Sequence, residues 1–328
     1  MRRAVVFMFS GQGSQYYQMG RELYHSHARF RMWMDHCDEI ALPLMERSLC
    51  DLLYRGADKS ERFDRLLYTN PALLCFEFSL ARVLIESGIK PDYVLGYSLG
   101  EISAAVIAGA LSLEQGVRFV VDCAKVLEAE SPRASMLAVL DTPSIMARYT
   151  PDSGGCWITA RNFDRHFVVS GPVAAVERIR AAMLRDGIVC QLLAVNVGFH
   201  CEMLQPMERS ITELARRMDC RSLRMPLVSS LDGAVLDTRF DSAQWPRHFW
   251  SVLRHPIAFD TTIQALLRRG DFHFVDVGPS GTLATFTKYL LPTGTLSVCT
   301  DVINTFGKDN RSFDNALRSL GVAEVRSA

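Results

Sequence analysis

The chain predicts an α/β fold: a parallel sheet with helices on both faces, carrying a small ferredoxin-like subdomain as an insert. Three observations predict it. Short apolar runs such as Ala4–Phe9 are followed by a glycine turn and then a helical pattern, the alternation expected of a parallel sheet. Between about residues 131 and 197 the element order becomes β-α-β-β-α-β, the split βαβ arrangement. At 328 residues the chain has room for a main domain with such an insert.

The elements follow in order. Ala4–Phe9 is β-rich and runs into Gly11-Gln12-Gly13-Ser14-Gln15. Residues 23–41 are helical in pattern, as are residues 71–87, with Pro71 in the first turn, where its missing N–H costs nothing. Residues 93–95 form a short strand entering the turn Gly96-Tyr97-Ser98-Leu99-Gly100. Residues 101–110, rich in Ala, Ile and Val, read as a buried helix. Residues 113–129 form another, with apolar spacing at Val117, Val120, Val121, Ala124 and Leu127. In the insert, residues 136–140, 157–160, 166–169 and 190–195 read as strands, 143–149 as a short helix and 173–186 as an amphipathic helix. Beyond it, residues 203–218 are helical, and 227–230 and 274–277 are strands. The expected division is a core of residues 1–130 and 198–328 and a subdomain of residues 131–197, with a frayed tail after about Gly321.

Composition narrows the function classes. Hydrophobic residues make up 48% and charged residues 22%, the balance of a soluble globular enzyme. Lys+Arg and Asp+Glu both number 36, so the basic excess that nucleic acid or an anionic membrane would demand is missing. The nine cysteines show no C-x-x-C pair and no metal spacing, and residues 1–9 are too short for a secretory signal. They read as reduced thiols in a cytoplasmic protein. No apolar run is long enough to span a membrane.

Gly96-Tyr97-Ser98-Leu99-Gly100, after a strand and before a helix, has the form of a nucleophile elbow. The flanking glycines allow a turn so tight that a side chain would clash, which lifts the Ser98 hydroxyl clear of the sheet. The plain alternative is Ser98 as a helix cap. A serine needs a base within hydrogen-bond reach, and eight histidines compete for that role. His25, His27 and His36 lie on or near a polar helix and read as solvated, His166 lies beside a turn and His273 in a strand approach. His200 follows the last strand of the insert, where the chain returns to the main sheet, a position where catalytic groups gather.

Gly11-Gln12-Gly13-Ser14-Gln15, Asn70-Pro71-Ala72-Leu73, Gly96-Tyr97-Ser98-Leu99-Gly100-Glu101, Gly198-Phe199-His200 and Asp276-Val277-Gly278-Pro279 occur in this order. Together they resemble the malonyl-CoA:acyl-carrier-protein transacylase family, which includes the acyltransferase domains of polyketide and fatty-acid synthases. The resemblance implies an α/β-hydrolase-like core with a ferredoxin-like insert. It implies that Ser98 attacks an acyl thioester and holds the acyl group as an ester, and that His200 is base and then acid. A backbone carbonyl in residues 252–255, before Pro256, would orient His200, and the Gln12 and Leu99 backbone N–H groups would form the oxyanion hole. Asn70, Tyr97, Cys123 and Phe199 would line the acyl pocket, Asn70 standing where the family commonly has Gln.

Malonyl-specific members carry an arginine 25 residues after the nucleophile to pair with the free carboxylate; here position 123 is Cys. Burying that carboxylate without a guanidinium costs roughly 2–5 kcal/mol. At about 1.4 kcal/mol per decade, this forfeits roughly 30- to several-thousand-fold in specificity. A thiol also leaves more room and an apolar wall, so the expected substrate carries an uncharged acyl group such as acetyl, propionyl or longer. With no His or Lys placed beside it, Cys123 itself reads as a structural thiol. Phe199 before His200 is common in malonyl-selecting members and points the other way.

Three functions stay open at this stage. The first is a hydrolase that clears stalled acyl groups from carrier proteins in polyketide biosynthesis. The second is an acyltransferase that loads a non-carboxylated unit onto a carrier protein. The third is a non-catalytic carrier-protein docking module, and a malonyl enzyme with an unusual clamp is a further variant. The implied partner is an acyl carrier protein, with acyl-CoA as an alternative donor. The thioester is already activated, so no cofactor or metal is called for. Arg118, Lys125 and the Arg-rich residues 212–226 are docking candidates by charge alone.

Overall fold

The computed structural model describes residues 3–149 and 155–322. The expected fraying after Gly321 falls, except for Gly321 and Val322, outside the described residues.

The chain opens with β1 (Ala4–Phe9), whose last four residues are fully buried. A helical layer follows: α1 (Arg21–Ser26), α2 (Ala28–Met45), α3 (Leu49–Tyr54) and α4 (Leu66–Glu86). The single helix expected over 23–41 breaks at His27, whose extended backbone lets Nδ1 accept the Phe30 N–H and start α2. His27 is therefore a half-buried cap and not a solvated residue. Helix α4 begins five residues before Pro71, so Pro71 lies in the second turn, not the first. The added turn buries Leu66, Thr69 and Asn70, and that burial outweighs the hydrogen bond Pro71 removes.

Strand β2 (Tyr93–Gly96) leads directly into α5 (Gly100–Ile107) and then α6 (Leu113–Glu130). A capping box between Ser112 and Gln115 starts α6. The inserted subdomain contains β3 (Ala134–Val139), a 3-10 turn Pro143–Arg148, β4 (Trp157–Phe163), β5 (His166–Pro172), α7 (Val173–Arg185) and β6 (Cys190–Leu192). The chain then returns through α8 (Glu208–Arg216), β7 (Leu227–Ser229), β8 (Val235–Leu236), α9 (Trp245–Arg254) and β9 (Ile257–Ala258). It finishes with α10 (Phe259–Leu267), β10 (Phe272–Asp276), α11 (Thr282–Leu290), β11 (Val298–Asp301) and α12 (Asp309–Ser319). The helix expected over 203–218 is split, because Pro206 confines its first part to a 3-10 turn.

The main sheet has the order β11-β10-β1-β2-β7-β8 and is parallel except for the β7–β8 pair. The small sheet has the order β6-β3-β5-β4-β9; its first four strands are antiparallel, in the ferredoxin-like arrangement, and the β4–β9 pair is parallel. It has its own core around Leu137, Phe167, Val169, Val176 and Met183. A fifth strand, β9, joins it beside β4 and comes from the segment after residue 198. Two residues are too few for any periodic pattern, so β9 was not foreseeable from sequence.

Candidate active site

Strands β1 and β2 pair in parallel with Phe9 opposite Gly96, so the loops that leave them start side by side at the carboxyl edge of the sheet. That edge is where open α/β sheets place ligands. One loop carries Gly11 and Gln12, the other Ser98. At Gly100 a Cβ would lie 2.1 Å from the Phe9 carbonyl oxygen, so the close approach of α5 to β1 requires glycine. At Gly11 a Cβ would lie 2.7 Å from the Tyr97 oxygen and 2.9 Å from the Ser98 Cβ, so the first loop is seated against the nucleophile turn.

Ser98 adopts φ 56°, a left-handed conformation that an L side chain rarely accepts. Its Oγ lies 2.8 Å from His200 Nε2. His200 is also left-handed, at φ 61°, and is pinned through its backbone, the N–H donating to the Leu253 carbonyl at 3.1 Å. Its Nδ1 lies 3.1 Å from the His255 carbonyl, within the segment expected to orient it. A carbonyl only accepts, so Nδ1 carries the proton and Nε2 offers its lone pair to the Ser98 hydroxyl. Burial pushes His200 down to about 4, against a partial upward pull from the His255 and Val252 carbonyls. The ring is therefore neutral near pH 7 and able to take the serine proton. Among the described residues neither the Gln12 nor the Leu99 backbone N–H has a protein acceptor.

Gln12 donates through Nε2 to Thr69 Oγ1 at 2.8 Å and to Asn70 Oδ1, and Asn70 Nδ2 donates to the Val120 carbonyl at 3.3 Å. Asn70 thus braces the Gln12 side chain against α6. Behind Ser98 opens a cavity lined by Leu99 and Ile102 from the elbow side, by Phe119, Val120, Cys123 and Leu127 along one face of α6, and by Phe249, Val252 and Leu253 of α9. Gln12, Asn70, Phe199 and Ile211 complete it. None of these side chains is charged. Cys123 faces the cavity, and burial raises its thiol far above the ordinary range, the mark of an unreactive thiol. Arg118 and Lys125 are exposed on the opposite face of α6.

Tyr97 departs from expectation. It does not line the cavity; its hydroxyl donates to Asn162 Oδ1 at 2.9 Å, and Asn162 Nδ2 lies 2.9 Å from His166 Nδ1, a chain that ties the elbow to the inserted subdomain. Of the two neighbours of Ser98, Leu99 lines the cavity and Tyr97 does not, so adjacency in sequence did not imply a place in the pocket. Sequence reasoning also missed Glu77, whose Oε1 accepts both the Ser10 N–H at 2.6 Å and the Ser10 hydroxyl at 2.8 Å beneath the Gln12 loop. A glutamate within the apolar run of residues 72–78, flanked by Phe76 and Phe78, was the available signal. Among the Arg-rich residues, Arg216 and Arg217 pair with Glu213, and Arg221 with Asp219.

Comparisons with known proteins bear on the family and the fold. The profile of the acyl transferase domain family matches residues 6–326. The chain is 36% identical over 318 residues to the polyketide biosynthesis acyltransferase homolog PksD of Bacillus subtilis, covering 96% of both. It is 35% identical over 311 residues to the homolog BaeD of Bacillus velezensis, covering 94% of both. Among solved structures it is similar to a loading acyltransferase from the avermectin modular polyketide synthase, with TM-score 0.85 at 28% identity over 97% of this chain and 99% of that one. It is also similar to the acyltransferase domain from the second module of the salinomycin polyketide synthase, with TM-score 0.83 at 29% identity over 98% of this chain and 75% of that one.

Proposed function

Because this chain belongs to the acyl transferase domain family, a class of enzymes that move acyl groups, we propose that it hydrolyses uncharged acyl groups from acyl carrier protein thioesters in polyketide biosynthesis. The observation that carries the choice of acyl group is the neutral cavity behind Ser98, with Cys123 where a cation would be needed for a malonyl carboxylate. The names of the two Bacillus relatives support a polyketide setting.

In this reading Ser98 Oγ attacks the thioester carbonyl while His200 Nε2 takes its proton. The Gln12 and Leu99 N–H groups receive the oxyanion, an arrangement worth several kcal/mol in related chemistry. Collapse breaks the C–S bond, His200 returns the proton to the departing thiolate, and the acyl group remains as an ester on Ser98. Water then attacks with His200 again as base, releasing the free acid and restoring the serine. The His255 carbonyl, accepting from the protonated Nδ1 of His200, does the orienting that an aspartate does in a triad.

A second reading, transfer of the same acyl group from CoA to a carrier thiol, is favoured by the similarity to a loading acyltransferase. The first half-reaction is identical and only the acceptor differs. A non-catalytic docking module would have no need of the bonded Ser98–His200 pair. The discriminating experiment presents acetyl- and malonyl-loaded carrier protein and the matching CoA esters, then follows free acid and acyl-carrier protein by mass spectrometry. Free acetate from the carrier supports hydrolysis; acetyl-carrier protein formed from acetyl-CoA without hydrolysis supports transfer.

A further inference from the structure

Glu101 and the partly buried His248 form a pair that the chemistry above does not use. Glu101 is the second residue of α5, fully buried, and its N–H donates to the Ser98 carbonyl at 3.0 Å. Its Oε1 lies 2.6 Å from His248 Nε2 on α9. The His248 ring is set edge-on against Trp245, Phe240 and Phe249, which leaves it little freedom to turn away. Neither residue lines the acyl cavity.

The two helices it joins carry the two halves of the catalytic pair. Helix α5 begins immediately after Ser98 and Leu99. The C-terminal end of α9 supplies the Leu253 carbonyl that holds the His200 backbone, and its cap supplies the His255 carbonyl that holds the His200 ring. The cavity walls between α5 and α9 are apolar, and apolar contacts tolerate sliding where a short hydrogen bond does not. Taking a carboxylate out of water costs several kcal/mol, so apolar residues of similar size would serve stability as well or better. The pair therefore makes sense as a device for registration more than for stability.

Building on the reading of Ser98 and His200 as the acyl-transfer pair, we propose that Glu101 and His248 are positioning residues that fix α9 against α5 and so set the alignment of His200 on Ser98. The test uses E101L/H248L, which removes both polar groups together, and H248F, which keeps a ring and loses only the donor. E101Q is the conservative control, since its amide oxygen still accepts from His248. Each variant is checked for folding by thermal melting, and acetylation of Ser98 by p-nitrophenyl acetate is followed by intact mass alongside steady-state kcat and KM. A misalignment of the order of 1 Å costs about 100-fold. In folded E101L/H248L or H248F we expect kcat and the acetylation rate to fall by that order with KM little changed, and E101Q to stay within about threefold because its hydrogen bond survives. Wild-type kcat in either folded variant overturns the proposal. Failure of the wild-type protein to acetylate at Ser98 would instead remove the reading on which it rests.

Discussion

His200 Nε2 lies 2.8 Å from Ser98 Oγ, and both residues hold left-handed backbones, at φ 61° and 56°. Two such conformations in one contact cost of order 1–3 kcal/mol each, and they persist because close packing over-determines them. Ser98→Ala should abolish the acyl-enzyme seen by intact mass. His200→Ala should lower the acylation rate ~100- to 10,000-fold, the range for loss of a general base. Acylation at an unchanged rate in the histidine variant would exclude His200 as the base.

A base works in its neutral form, so activity is lost as pH falls through its pKa. With His200 pushed down to about 4, kcat/KM for a neutral ester should stay flat from pH 8 to about 5 and fall only below that. An acid limb near the ordinary histidine range of about 6.5 would show a solvated ring and contradict the buried geometry.

Cys123→Arg puts a guanidinium on the α6 face that lines the acyl cavity. The variant should raise malonyl occupancy of Ser98 from malonyl-CoA by at least tenfold, matching a gain of about 1.4 kcal/mol or more, while acetyl occupancy falls. The check is intact-mass measurement of the ester on Ser98 after equal exposure to both CoA esters.

Glu77 and Asp276 are fully buried, and burial pushes them up to about 8 and about 7. The folded state thus holds these protons more tightly than the unfolded chain, whose carboxyls titrate near about 4. Their contribution is fully present below that range and is lost as pH rises toward 7 to 8. Glu77→Gln keeps an acceptor for Ser10 and removes the titration, so the drop in melting temperature between pH 6 and pH 9 should shrink by about 2–4 °C, at about 1–2 °C per kcal/mol in a chain of this size. His200 acts in the opposite sense, destabilising as pH falls below about 6.5 because its unfolded form takes up the proton first. An unchanged pH slope in the Gln variant would show that Glu77 is ionised in the fold.

Legibility followed locality. The Ser98 elbow is five contiguous residues between a strand and a helix, so sequence alone carried it. His200 lies 102 residues away and meets Ser98 only through the sheet topology, so residue patterns left it one of eight histidines until the family resemblance singled it out. The Glu101–His248 contact spans 147 residues and leaves no pattern to read. Tyr97 and Pro71 misled for a shared reason: sequence adjacency gives neither the direction of a side chain in a tight turn nor the gain from burying one more turn of helix.

In the proposed function Ser98 forms an ester with an uncharged acyl group in a pocket whose lining side chains carry no cation. The most direct measurement is a competition in which the wild-type protein meets equal amounts of acetyl- and malonyl-loaded carrier protein, with intact-mass readout of Ser98 and of both carriers. An acetyl ester on Ser98, release of acetate and malonyl-carrier protein left intact are the expected outcome. A malonyl ester on Ser98, formed as fast as the acetyl one, would contradict it.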